Sequence, residues 1–97
     1  MLFQETGKKT GDMDMKPLTS SAMYNFQVFG GAVEFYGSNV TDVKMDKDNL
    51  GRWQKLLTVD ESGDKEAPYR QYAWGNIGYK VISGENVEIY VSAGATD

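Results

Sequence analysis

The side chains of this 97-residue chain that could carry chemistry are carboxylates, hydroxyls and lysines, because the sequence contains no Cys and no His. Thiol nucleophiles, disulfide staples, haem attachment, imidazole bases and Cys/His zinc sites are thereby excluded together. The most metal-like run is Asp46-Lys47-Asp48-Asn49-Leu50-Gly51, which opens like a calcium loop, with acids at its first and third positions and Gly at its sixth. The pattern then lapses. Leu50 holds the fifth position, Leu57 holds the twelfth where a bidentate Glu belongs, and no flanking helices are evident, so a solvated loop is expected. A carboxylate hydrolase needs two acids facing one another across a cleft, and Glu34 and Glu88 instead fall on the polar faces of their expected strands. The six serines have no His to activate them and no lysine-base motif or Gly-framed nucleophile turn beside them. Gly30-Gly31 joins strand to strand rather than strand to helix, so it is no phosphate loop. Asn39-Val40-Thr41 is a formal glycosylation sequon, expected to be chance because no secretory route is expected. The expectation is a chain that is not an enzyme and holds no cofactor or metal.

What remains is surface. Tyr69, Tyr72, Trp74, Tyr79 and Tyr90 crowd the last third of the chain. Tyr79 is expected in the core, while Tyr90 shares an outer face with Lys80 and Glu88. An exposed aromatic can stack on a sugar or dock another protein, or it can be covered by loops of its own domain. Ten Lys and Arg against fourteen Asp and Glu leave a net charge of −4, which disfavours direct grip on nucleic acid. No apolar run approaches the roughly 20 residues that span a bilayer, and Met1-Leu2-Phe3 passes directly into polar sequence, so no membrane contact or signal peptide is expected.

The elements that must position these residues are strands. Tyr24, Phe26 and Val28 alternate with Asn25 and Gln27; Val33 and Phe35 alternate with Glu34 beyond Gly30-Gly31. A two-residue turn there sets Val28 opposite Val33 and Phe26 opposite Phe35, so residues 24–36 are expected as a tight hairpin with one apolar face. Ile77, Tyr79 and Val81, then Val87, Ile89 and Val91, suggest a second hairpin over Ser83-Gly84-Glu85, with Lys80 opposite Glu88. Trp53, Lys55, Leu57 and Val59 alternate as a strand, a reading favoured over the helical spacing of Leu50, Trp53 and Leu57 by Gly51 and the β-branched end. Val43 and Met45 are weak anchors in a polar stretch, residues 60–66 form a charged surface loop, and Tyr69 to Ala73 is a further candidate strand. The expected core is Phe26, Val28, Val33, Phe35, Trp53, Tyr79, Val81, Val87 and Ile89.

A chain of this length makes one domain. Its Leu, Ile, Val and Phe are about a fifth of the residues, so long polar stretches must lie outside the core. Residues 1–22, with Gly7, Gly11 and scattered Met13 and Met15, show no periodicity and are expected as an extended N-terminal arm, held by a neighbouring subunit or packed on its own domain. The organisation expected is arm 1–22, domain 23–93 and tail 94–97. The fold class is all-β: a single antiparallel β-sandwich, jelly-roll-like or Ig-like, with an extended N-terminal arm.

The run from Phe26 through Gly30-Gly31 to Val33-Glu34-Phe35-Tyr36-Gly37-Ser38, then Trp53-Gln54-Lys55-Leu56, then Tyr79-Lys80-Val81 and Val87-Glu88-Ile89-Tyr90-Val91, resembles small β-sandwich virion proteins of tailed bacteriophages. Those combine a strand, a Gly-bearing turn, a V-x-x-x-G-S strand, a W-x-x-L strand and a closing hairpin. The resemblance covers residues 24–92, and the chain departs from it by inserting residues 40–50 before Trp53. It implies a non-enzymatic building block that docks on and stabilises a phage capsid, as decoration or cement, or a neck or tail assembly. Its partners would be the major capsid or neck and tail subunits and further copies of itself, as a homo-oligomer or symmetric lattice. It would be made in the host cytoplasm and located in the virion. Leu2, Phe3, Met13 and Met15 of the arm, with Trp74 and Tyr90, are the candidate interface residues. The alternative is a carbohydrate- or receptor-binding β-sandwich module stacking sugars on Trp74 and nearby tyrosines.

Overall fold

A computed structural model describes residues 3–17, 24–60, 64–67 and 74–93. The all-β class is as expected. Among the described residues, six strands, β1 (Phe3–Lys8), β2 (Met13–Pro17), β3 (Tyr24–Ser38), β4 (Gln54–Asp60), β5 (Asp64–Ala67) and β6 (Asn76–Ala93), form one antiparallel sheet, with a single 3₁₀ turn at Leu50–Arg52. Its centre is the pairing of the two long strands, β3 against β6, from Tyr24 opposite Ala93 to Ser38 opposite Asn76. On the free side of β6 lie β1 and then β2; on the free side of β3 lie β4 and then β5.

Neither expected hairpin forms. Residues 24–38 and 76–93 are each one strand, and the backbone groups that the hairpins would have paired within each strand are given to the other long strand instead. Yet the rings of Phe26 and Phe35 lie 4.3 Å apart, centroid to centroid, although nine residues of extended strand would separate them by about 30 Å. The strand, and with it the sheet, is therefore doubled over at a crease. Residues 24–29 and 87–93 make one half with β1 and β5; residues 31–38 and 76–81 make the other with β2 and β4. The inner faces of the halves pack on one another.

Glycine makes the crease possible. Gly30 and Gly84 stand at φ +85° and +117°, in the left-handed region that Gly enters without a steric penalty. The two strands also approach too closely for side chains: a Cβ at Gly31 would fall on the Ser83 carbonyl oxygen and come within 2.8 Å of the Val87 Cγ2. Register shifts between Phe29 and Gly31 and between Ala32 and Val33 change the inward parity of β3 from Phe26 and Val28 to Val33 and Phe35.

The resulting core holds Phe26, Val28, Val33, Phe35, Val59, Ile77, Tyr79, Val81, Val87, Ile89 and Val91, with Leu56, Leu57 and Trp74 packed against it. Every such Val, Ile or Phe contributes roughly 1.5–3 kcal/mol by its burial. Trp53, also expected in the core, is buried elsewhere. With Val43 and Met45 it forms a second cluster, on the outer face of the half made by β2, β4 and the adjoining parts of β3 and β6. Its indole N–H donates to the Lys44 carbonyl (3.0 Å), and Met13, Met15, Tyr36 and Leu50 pack around it. Segment 39–53 thus lies over that face as a cover.

Of the residues expected as an extended arm, Phe3–Lys8 and Met13–Pro17 are strands paired with β6 of the chain's own sheet, while residues 1–2 and 18–22 lie outside the described residues. Phe3 pairs with Val91 and Met13 with Lys80, and between the two strands the turn at 9–12 is tied to the crease, where Thr10 N donates to the Gly84 carbonyl and Gly11 N to that of Val81 (both 2.9 Å). The charged loop expected at 60–66 is in part strand, since Asp64–Ala67 is β5. Lys80 faces Glu34 and not Glu88, which faces Phe29. The candidate strand from Tyr69 to Ala73 and the tail 94–97 lie outside the described residues.

The pattern Gly-x-x-Val-Glu-(Phe/Ile)-Tyr occurs twice, at 30–36 and at 84–90, in each long strand from the crease onward. The strand order reads alike from either edge when the two occurrences are exchanged, so the sheet has an approximate two-fold likeness about its crease.

Two consequences are measurable. Gly31→Ala should lower stability by about 2–4 kcal/mol in urea titration, because the colliding atom is backbone and cannot turn aside; unchanged stability would contradict the crease. Deleting residues 1–17 should abolish the cooperative thermal transition, since it bares one side of β6 and half uncovers the Met45–Trp53 cluster; a normal transition would show that the arm is dispensable.

Candidate interaction surface

The outer face divides into two regions of similar design. In each, a glutamate on a long strand accepts a hydrogen bond from the tyrosine two residues on: Tyr36 Oη to Glu34 Oε1 at 2.7 Å, Tyr90 Oη to Glu88 Oε1 at 2.6 Å. Residues two apart in a strand project from one face, so each pair stands as a short polar ladder. Around Glu34 the ladder is extended by Lys55 (3.2 Å) and by Lys80 opposite it. Lys55 is half-exposed and its ion pair contributes at most about 1 kcal/mol.

The hydrogen bond from Tyr36 is the chief cause holding the Glu34 carboxyl below its ordinary 4.5; partial burial opposes it, while Lys55 and Lys80 assist. Burial first, and then the bond to Glu34, push the Tyr36 hydroxyl up to about 12. The Tyr90 hydroxyl is raised chiefly by its bond to Glu88.

The two regions differ in what covers them. Tyr36 adjoins the cluster under segment 39–53, whereas beside Tyr90 stands Phe29, 44% exposed, its ring edge-on to that of Tyr90 at 6.1 Å. Such aromatic pairs combine a large apolar area with few side-chain torsions to freeze, which suits a docking surface. Phe29 was not among the residues expected here, because a hairpin would have spent it beside the turn.

The six candidate residues do not form one site. Leu2 lies outside the described residues, and Phe3 enters through its backbone pairing with Val91. Met13 and Met15 come together, half-buried on the second cluster, so their apolar surface is already used within the chain. Trp74 packs on the main core with its ring over Gly37, where a Cβ would strike it, and its remaining surface lines an open groove of about 480 Å³ with Ser38, Val40 and Arg52. Tyr90 is on the opposite face of the sheet, and of the six it alone belongs to the aromatic pair.

The motifs set aside in the sequence have structural uses. Asp46 Oδ1 accepts from the Asp48 N–H (3.0 Å) and the Asn49 amide (2.7 Å), closing the turn ahead of the 3₁₀ segment. Asn39 Oδ1 accepts from the Gly75 N–H (2.7 Å), and Asn76 Nδ2 donates to the carbonyls of Ser38 and Val40, which clasps the end of β3 to the start of β6. Glu34 and Glu88 lie in different halves and do not face each other across a cleft. Among the described residues no three acids gather where they could hold a metal ion, and no helix is long and apolar enough to cross a membrane.

The sign of the pH response follows. A depressed Glu34 contributes stability above pH 4.5 that is lost as pH falls through its folded value, and a raised Tyr36 contributes stability below pH 10 that is lost between 10 and about 12. Tyr36→Phe should therefore shift the Glu34 carboxyl titration upward toward 4.5 by NMR and shrink the alkaline loss of stability; an unmoved Glu34 titration would show that the ladder does not hold the carboxylate.

Comparison with known proteins leaves the chain without a match: no family model, no curated protein and no solved structure aligns with it.

Proposed function

We propose that this chain is a non-enzymatic structural subunit of a phage virion, docking on a capsid or a neck or tail assembly through the outer face around Phe29 and Tyr90. The observation that carries this reading is the unequal treatment of two similar faces. One Glu-Tyr ladder adjoins a cover anchored by Val43, Met45 and Trp53; the other carries, beside its tyrosine, the most exposed large apolar side chain among the described residues. In this reading the doubled-over sheet plays the part of the sandwich, and the major capsid or neck and tail subunits supply the missing cover. The face, and not a free N-terminal arm, is the docking element, since β1 and β2 are engaged on β6. Copies repeated by the symmetry of the particle would each dock alike.

The test is occupancy. In particles of the encoding phage purified on a density gradient, the chain should band with the virion, and Phe29→Asp should lower its occupancy while the purified variant melts as the parent does. A chain that stays in the soluble fraction, or a Phe29→Asp variant that occupies particles fully, would sink the proposal. Binding to a glycan array without particle association would favour the carbohydrate-binding alternative.

A further inference from the structure

The two Glu-Tyr ladders differ in charge as well as in cover. Each carboxylate accepts from the tyrosine two residues on, but Glu34 also has cations beside it, Lys55 at 3.2 Å and Lys80 opposite it on β6. The two-fold likeness identifies what stands in their places around Glu88. Where Lys80 lies opposite Glu34, Phe29 lies opposite Glu88. Where Lys55 of β4 lies opposite Tyr36, Gln4 of β1 lies opposite Tyr90. Both cations are thus replaced, one by an exposed ring and the other by an exposed amide. Lys8 and Lys16, the lysines of β1 and β2, pair with Glu5 instead. Among the described residues Glu88 has no ion pair: its Oε1 takes the Tyr90 hydroxyl at 2.6 Å, and no cation reaches its Oε2.

We infer that the Glu88 carboxylate and the rings of Phe29 and Tyr90 form a seat for an arginine side chain of a protein partner. The occupant is named by charge and by shape. A half-buried carboxylate beside two aromatic rings has lost part of its hydration, so a cation that reaches it gains more than it would in open water. In the other half the chain supplies that cation itself, so a ladder of this design does hold one. A guanidinium suits the exposed version better than an ammonium. It is planar and weakly hydrated, and it can donate to Oε2 of Glu88 while lying along a ring. The net charge of −4 draws a basic partner toward the chain at longer range. This inference rests on the reading of the face as the docking surface, and it gives the docking partner its chemistry.

The probe is a short acetylated and amidated peptide with one central arginine, titrated into the purified full chain and followed by NMR. It should shift the ring signals of Phe29 and Tyr90 saturably, with a Kd in the millimolar range, and its citrulline and lysine analogues should bind several-fold more weakly. Glu88→Gln keeps an acceptor for Tyr90 but removes the charge, and should weaken arginine binding by roughly fivefold or more. Gln4→Lys restores the counterpart of Lys55; it should fill the seat from within, weaken the peptide to a similar extent and leave the chain melting as the parent does or higher. An arginine peptide that binds no better than its citrulline or lysine analogue, or binding indifferent to Glu88→Gln and Gln4→Lys, would overturn the assignment. Particle occupancy separates this outcome from the docking reading. If Phe29→Asp lowers occupancy while Glu88→Gln and Gln4→Lys occupy particles fully, the face docks and the arginine seat is wrong. If the peptide binds as expected and Phe29→Asp occupies particles fully, the docking reading falls and the seat stands for a partner outside the particle.

Discussion

Everything in this fold depends on two long strands bending at one place and touching there. A flat sheet of this size could bury neither face, and among the described residues no helix beyond the 3₁₀ turn is there to cover it. Doubling over lets the sheet serve as its own second layer, but the bend must occur in both central strands at once and leave no side chain between them. Gly30 and Gly84 meet the first requirement through their positive φ, and Gly31 meets the second by having no Cβ to strike the Ser83 carbonyl. The crease thereby sets the partners across the core: Phe26 reaches Phe35 because the strand between them is folded in two.

That geometry explains why the core was legible in the sequence and the connectivity was not. A hairpin with a two-residue loop and a bulged, bent strand bring the same residues together. In both, Phe26 faces Phe35 and Val28 shares the core with Val33, so the alternation of apolar residues is satisfied either way. What differs is where the backbone hydrogen bonds go, and that depends on a strand some fifty residues away. Residues 3–17, within the expected arm 1–22, show no strand pattern in the sequence because a sheet edge does not need an apolar period: inward Glu5 and Lys16, Gly7 and Gly11 suit an edge while erasing the pattern that marks a strand. β5 was concealed in the same way by Asp64-Lys65-Glu66. The exposed Phe29 was hidden by the hairpin reading, although the twice-repeated Val-Glu-(Phe/Ile)-Tyr pattern was available as a signal that the two strands are counterparts.

The cover over one outer face follows from where the chain runs after β3. Segment 39–53 must travel from the end of β3 to the start of β4, its neighbour on the edge. It crosses the face on the way, inserting Met45 and Trp53 over Gly78, where a Cβ would lie within about 3.1 Å of both side chains. A glycine in the middle of a central strand, normally unfavourable, here marks the place where a loop packs directly on backbone. The short polar clasp of Asn39 and Asn76 holds the entrance of this cover in register with the sheet.

The two-fold likeness separates what the fold requires from what is left to vary. At the centre the two halves agree: glycine at the bend, then Val-Glu, an apolar residue and Tyr, with both tyrosines bonded to their glutamates. At the periphery they diverge. One edge has Glu5 directed inward where the other has an inward Leu57, and one ladder adjoins the cover while the other stands beside an exposed phenylalanine. The crease cannot explain these differences, since it is satisfied equally in both halves, and the core cannot, since they lie outside it. A position free of both constraints, yet occupied by an apolar side chain in one half and a charged or covered one in the other, is where contacts with other molecules have room to act. The Phe29–Tyr90 face is a position of that kind.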